Sequence, residues 1–232
     1  MYSKLLKAIS RSIGNKNALY HEERCPDKTW TYVRYYDGKF FESDLSENET
    51  LQGKIIFVLE SPHKREYLDL ENISPAKGKT GDNFNNALIN FLVLSQYHKS
   101  CFESGLYEVV VLNAVQYQTS LGLHPKEYRT VIFQLAWLTF AREDFINRLR
   151  KHLTGFEKNN VVFNACTKGN TLKVNQARDL VRDLELSESI RSKVVLGKND
   201  IDLNELVSVA IHEAGFNSYK SSHPVYWDKM IS

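Results

Sequence analysis

Four apolar runs, each ending at residues able to do chemistry, constrain this chain more than any other feature. They are Ile55-Ile56-Phe57-Val58-Leu59 before Glu60-Ser61-Pro62-His63, Val109-Val110-Val111-Leu112 before Asn113, Val161-Val162-Phe163 before Asn164, and Gly215-Phe216-Asn217-Ser218-Tyr219-Lys220 before Ser221-Ser222-His223-Pro224. Short apolar runs of this kind read as buried strands. The segments between them carry helical spacing, and strands alternating with helices imply a largely parallel sheet. Ligands bind in the crevice beyond the carboxyl ends of such strands, so the four tips are expected to converge on one active site.

The expected fold is therefore a three-layer α/β/α domain over residues 51–232, with a mainly parallel four-stranded central sheet. Residues 1–50 read as an N-terminal elaboration: a short amphipathic helix over Lys4 to Ile13, closed by Gly14-Asn15, and a β-hairpin turning at Asp37-Gly38. That dipeptide tolerates the positive φ angles of a type I′ turn. Further helices are predicted from Asp82 to about Tyr97, from Lys126 to Leu153 behind Pro125, from Asn175 to Leu186, and from Asp202 to Ala214. Asp202 is the candidate N-cap of the last one and Gly215 its left-handed exit. About 20 residues separate the first strand from the first of these helices, and loops of that length in compact domains are often functional.

Several function classes drop out. No apolar run nears the roughly 20 residues that span a bilayer, so a cytoplasmic protein without membrane contact is expected, here taken as a monomer. The cysteines Cys25, Cys101 and Cys166 show no Cys-x-x-Cys spacing, so neither a zinc nor a cluster site is indicated and no cofactor is expected. Lys77-Gly78-Lys79-Thr80 has the tail of a phosphate loop, but position 73 is Ile73 where that loop needs glycine. A net charge of +2 decides nothing about nucleic acid.

The order of the motifs resembles the uracil-DNA glycosylase superfamily, which carries one catalytic motif after its first core strand and a His-Pro motif after its last. Here the first reads Leu59-Glu60-Ser61-Pro62-His63, the strand-end asparagine is Asn113, and the second reads Ser222-His223-Pro224, over roughly residues 53–226. The resemblance implies a monofunctional DNA glycosylase that flips a pyrimidine out of double-stranded DNA. His223 would donate to a carbonyl oxygen of the leaving base, Asn113 would read the base edge, and Phe84 would stack on the ring. Ser61, Pro62 and His63 would complete the base pocket. Lys64, Arg65, Lys168, Ser221 and Ser222 would grip phosphates, and no metal would take part.

Two departures bear on the substrate. Ser61 stands where that family places an Asp or Asn before the proline, so either Glu60 substitutes for it in activating water or water is activated elsewhere. His63 replaces the tyrosine that blocks bases carrying a C5 group, which favours a modified pyrimidine. The chain is similar in general character to antiphage members that remove glucosylated hydroxymethylcytosine from phage DNA. Uracil or damaged-base repair is the alternative substrate class. A noncatalytic DNA-binding or base-sensing module is another reading, and a hydrolase or nuclease with a divalent ion held by Glu60, His63 and His223 is a third.

Overall fold

The computed structural model describes residues 2–5, 21–95, 102–119, 125–155, 159–169, 182, 187–192 and 202–227. Its strands are β1 (Lys28–Tyr36), β2 (Lys39–Ser43), β3 (Leu51–Leu59), β4 (Gly105–Asn113), β5 (Val161–Asn164) and β6 (Ser218–Lys220). The main helices are α1 (Lys79–Leu94), α2 (Pro125–Ala136), α3 (Arg142–Leu153) and α4 (Leu203–Glu213). The strands form one sheet in the order β2-β1-β4-β3-β5-β6. β3 runs parallel to β4 and β5, and β5 parallel to β6, while β1 pairs antiparallel with both β2 and β4.

The expected mainly parallel sheet is present, but its strand count is corrected from four to six. The hairpin does not stand apart: β1 adds along the free edge of β4 because Val33 and Tyr35 alternate inward and bury against the same apolar layer as Val109 and Val111. Asp37 at φ 48° and Gly38 at φ 74° close the hairpin as the dipeptide predicted.

Both faces of the sheet are covered, which explains the unbroken apolar runs. Ile56, Val58, Val110, Leu112 and Val162 face one layer with Ile132, Leu149 and Val207 from α2, α3 and α4. Ile55, Phe57, Val109, Val111 and Phe163 face the other, with Phe84, Leu88 and Phe91 of α1 and the ring of Trp227. Neighbours in sequence thus bury on opposite sides, so no polar face is exposed along β3 or β4.

Helix boundaries moved for local reasons. The single helix expected from Lys126 to Leu153 is interrupted by a π-helical turn over Trp137–Ala141. There the Thr139 hydroxyl donates to the carbonyls of Leu135 (2.6 Å) and Ala136 (3.3 Å), inserting a side chain into the helical ladder. β6 is shorter than the run from Gly215. Gly215 has φ 99° and Phe216 N–H still bonds to Ile211 O, so these residues finish α4 before a strand can begin. Asp202 caps α4 by accepting from Asn204 N–H at 3.0 Å. α1 starts at Lys79, earlier than Asp82. Of the helix expected over Lys4 to Ile13, only residues 4 and 5 are described, and they are helical; that over Asn175 to Leu186 lies outside the described residues except at position 182. Among the described residues no helix is long and apolar enough to cross a membrane.

Candidate active site

Beyond the carboxyl ends of the parallel strands lies a cavity of about 210 Å³. The chain after β3 contributes Glu60, Ser61 and His63 to its lining, β4 contributes Asn113, the chain after β5 contributes Thr167, and the chain after β6 contributes His223. Residues far apart in sequence meet here because parallel strands place all their carboxyl ends on one side.

His223 is the most closely defined of them. It precedes a 3₁₀ turn over Pro224–Tyr226 and its Nδ1 accepts the Val225 N–H at 3.3 Å. A neutral imidazole that accepts at Nδ1 carries its hydrogen on Nε2. Burial, helped by the charge of Arg129, pushes the His223 pKa down to about 4, so the ring is a neutral Nε2–H donor at pH 7. The turn is pinned from two sides. Asn83 of α1 donates to Pro224 O at 2.7 Å, and Trp227 Nε1 donates to Ser222 O at 3.2 Å.

Asn113 is almost fully buried at the end of β4. Its Nδ2 donates to Cys25 Sγ at 3.6 Å, and its carbonyl accepts from Arg148 Nη2 at 3.0 Å. Cys25 is itself buried, and its thiol is pushed up to about 12 by burial and the nearby Glu66, so it serves as a neutral partner.

Glu60 is a buried carboxyl in the cavity lining. Its Oε2 accepts from the Thr167 hydroxyl at 2.6 Å, and its Oε1 lies 2.9 Å from Arg129 Nε. Burial raises the carboxyl above its ordinary value, while Arg129 and Thr167 oppose that rise. The Ser61 hydroxyl shares a 2.6 Å hydrogen bond with Thr119, so it is engaged locally. His63 lies exposed at the mouth and its Nδ1 accepts from Arg65 N–H at 3.5 Å. Partial burial, Lys64, Arg65 and Arg129 hold its imidazole below the ordinary value.

Other expected residues fall elsewhere. Pro62 is buried and does not line the cavity. Phe84 is corrected from base-stacking to core: it has no exposed surface and its ring packs between Trp30, Phe57 and Trp227 at 5.0 to 5.3 Å. Its helical spacing with Leu88 and Phe91 already carried that outcome. Asn164, at the tip of β5, turns away to Asn204 O and Ser208 Oγ of α4. Lys64, Arg65, Lys168 and Ser222 are exposed and Ser221 is partly so, each within three residues of a cavity-lining side chain. Glu60, His63 and His223 share one cavity, yet no group of three His, Cys, Asp or Glu is placed to hold a metal ion among the described residues.

Glu66, Thr80 and Arg129 also line the cavity and were not singled out from sequence. Glu66 did leave a signal. His63 and Glu66 form a reciprocal cap on the turn Lys64–Tyr67, with His63 N–H donating to Glu66 Oε2 at 2.8 Å, and a carboxylate three residues after a capping position is recognisable. Arg129 left none, since nothing local in its helix distinguishes it.

No family model matches the chain, and no curated protein matches it. Among solved structures, the glutaminyl cyclase of Tannerella forsythia aligns at 11% identity over 92% of this chain and 88% of that one with a TM-score of 0.17, a likeness too slight to carry any argument.

Proposed function

We propose that this chain is a monofunctional DNA glycosylase of the uracil-DNA glycosylase type, excising a flipped, modified pyrimidine and leaving an abasic site. The best candidate substrate is glucosylated hydroxymethylcytosine in phage DNA, which makes the protein an antiphage defence enzyme. The observation that carries this reading is His223: a neutral imidazole, locked with its Nε2–H free to donate, lining the same small cavity as Asn113 and Glu60.

Breaking an N-glycosidic bond leaves negative charge on the departing base and positive character on the sugar. His223 Nε2–H stabilises the first by donating to the pyrimidine O2 as charge builds there. The hydrogen bond from this neutral donor is weak to the ground-state carbonyl and strengthens as charge builds on the departing base. Asn113 orients the ring with an amide that can donate and accept. Glu60, fixed by Thr167 and Arg129, faces the sugar side with negative potential and takes the proton of the attacking water.

A volume of about 210 Å³ is below the roughly 300–1,000 Å³ of sites for drug-sized ligands. It suits a single-ring base, and a hexose on C5 would lie outside, at the mouth beside His63. Lys64, Arg65 and Lys168 are exposed, each next in sequence to a cavity-lining residue, and are available to flanking phosphates.

The test is abasic-site formation, with EDTA present, on matched DNAs containing cytosine, uracil, hydroxymethylcytosine or glucosylated hydroxymethylcytosine, with the released base identified by mass. Release from the glucosylated DNA alone supports the proposal; release from uracil points to repair. One observation favours a second reading, a noncatalytic base-sensing module: Ser61 occupies the position of the usual water-activating residue and is tied to Thr119. Binding without release would select it.

A further inference from the structure

We propose that Cys25, on the segment leading into β1, is a positioning residue that holds the Asn113 side chain in place for a ligand in the cavity. This inference rests on the glycosylase reading for the identity of that ligand, a flipped base. It makes the N-terminal segment a working part of the site.

Asn113 lines the cavity, yet among the described residues its side chain meets one hydrogen-bonding partner, the Cys25 sulfur, to which Nδ2 donates at 3.6 Å. Rotation of a terminal amide about its last side-chain bond is soft, so a contact at one end decides where the other end faces. Here the contact leaves Oδ1 without a protein partner, and the amide keeps an acceptor for the ligand. Cys25 is fully buried and does not line the cavity, so it supports Asn113 from the side that a ligand does not reach.

The sulfur is itself firmly placed. Cys25 N–H donates to Gln116 O at 2.8 Å, Arg24 Nε donates to Gln116 Oε1 at 2.8 Å, and Gln116 Nε2 donates to Asp27 Oδ1 at 2.9 Å. Residues 24, 25 and 27 thus grip the chain three positions past Asn113 and keep the sulfur in register with its amide. Asp27 also accepts from Arg148, whose other arm donates to Asn113 O at 3.0 Å. The same segment therefore reaches Asn113 twice, directly at the side chain and through Arg148 at the carbonyl.

Recognition of a base demands that precision. A group that reads a ligand edge has to be held to within about 0.5 Å and 10–20°, which packing behind it supplies. Shortening Cys25 to alanine removes both the acceptor and the atom that fills the space, and frees the amide to turn.

A double-mutant cycle separates positioning from packing. Release of glucosylated hydroxymethylcytosine is measured in single turnover with saturating enzyme, over hours so that the slow residual rate of Asn113→Ala is captured. Such a rate constant does not depend on the folded fraction. Cys25→Ala is expected to slow release by about 10-fold or more, and to leave the affinity for DNA, set mainly by phosphate contacts, within about twofold. Added to Asn113→Ala, it should change nothing further. An unchanged rate in Cys25→Ala, or an equal loss in both backgrounds, overturns the assignment. The contact is also read without turnover. In NMR spectra the Asn113 side-chain amide, identified by its absence in Asn113→Ala, should show cross-peaks to the Cys25 β-protons, and their absence overturns the assignment whatever the activity. A wild type that releases no base sinks the glycosylase reading instead. The cross-peaks then decide Cys25 by themselves, their presence supporting its hold on Asn113.

Discussion

Arg129 Nε stands 2.9 Å from Glu60 Oε1 without an aligned hydrogen bond between them, so charge attraction is what joins these two buried atoms. Thr167 completes the triangle, donating to Glu60 Oε2 at 2.6 Å and accepting from Arg129 Nη2 at 3.0 Å. A strand end, a loop and a helix are thereby tied around one carboxylate at the floor of the cavity. Arg129 also reaches the other functional group electrostatically, because its charge helps keep His223 neutral.

Removing the guanidinium should therefore move two titrations in one direction. In Arg129→Ala the Glu60 carboxyl loses its opposing cation and rises further, and His223 rises toward its ordinary value. Base release at neutral pH is expected to fall by about 10- to 100-fold, with partial recovery as pH rises. Stability should fall by up to about 3 kcal/mol, less than for a fully buried pair because Arg129 is partly exposed. A pH–rate profile checks this: an acid limb that stays in place would remove Glu60 from the proposed role.

His223 should show no titration across the neutral range. With its folded pKa depressed to about 4 from an ordinary 6.5, the ring stays neutral from pH 8 to 5. The unfolded chain takes up this proton first, so the linked stability is level above pH 6.5 and declines as pH falls toward 4. NMR titration of the imidazole resonances tests the assignment, and an inflection near 6.5 would contradict it. His223→Ala is expected to lower base release by about 100- to 1,000-fold, the range for losing one donor to developing charge.

Phe84 separates a core residue from a base-stacking one. Phe84→Leu should cost about 1–3 kcal/mol of stability through the aromatic cluster with Phe57 and Trp227, yet leave the KM for DNA near that of the wild type. Thermal melts and steady-state kinetics measured together decide it, and a rise in KM with unchanged stability would return Phe84 to the pocket.

Sequence carried the strand tips further than the side-chain partners. Glu60, His63, Asn113 and His223 were legible because apolar runs ending in polar residues mark where parallel strands deliver chemistry, and the structure gathers all four around one cavity. Phe84 was misplaced because one period of 3.6 serves a core face and a ligand wall alike. The hairpin's entry into the sheet was hidden for a different reason: β1 pairs with β4 across 70 residues or more, and no local pattern specifies such a partner. Arg129 and Thr167 belong to the same class, since their importance lies wholly in a contact between distant segments.

Asp27 offers the sharpest test of how the N-terminal segment supports Asn113. Its carboxylate accepts from Arg148 Nη1 at 2.7 Å, Gln116 Nε2 at 2.9 Å and His152 Nε2 at 3.0 Å, and the other arm of Arg148 donates to the carbonyls of Asn113 (3.0 Å) and Ala114 (3.2 Å). Burial alone would raise this carboxyl, but the bonds from His152 and Gln116 and the charge of Arg148 prevail and hold it below 3.8. A depressed carboxyl contributes stability that is complete above its unfolded pKa and lost as pH falls through the folded one. Asp27→Asn should thus cost about 1–3 kcal/mol at pH 7, where Arg148 keeps only the Asp144 carboxylate (2.7 Å) of its two partners, and the gap from wild type should shrink as pH falls below 3.8. Base release should weaken as well, because a loosened Arg148 no longer fixes the end of β4. Denaturant titrations of both proteins at pH 7 and pH 3 distinguish charge from shape: a difference that stays constant with pH would show that Asp27 acts by its hydrogen-bonding shape alone.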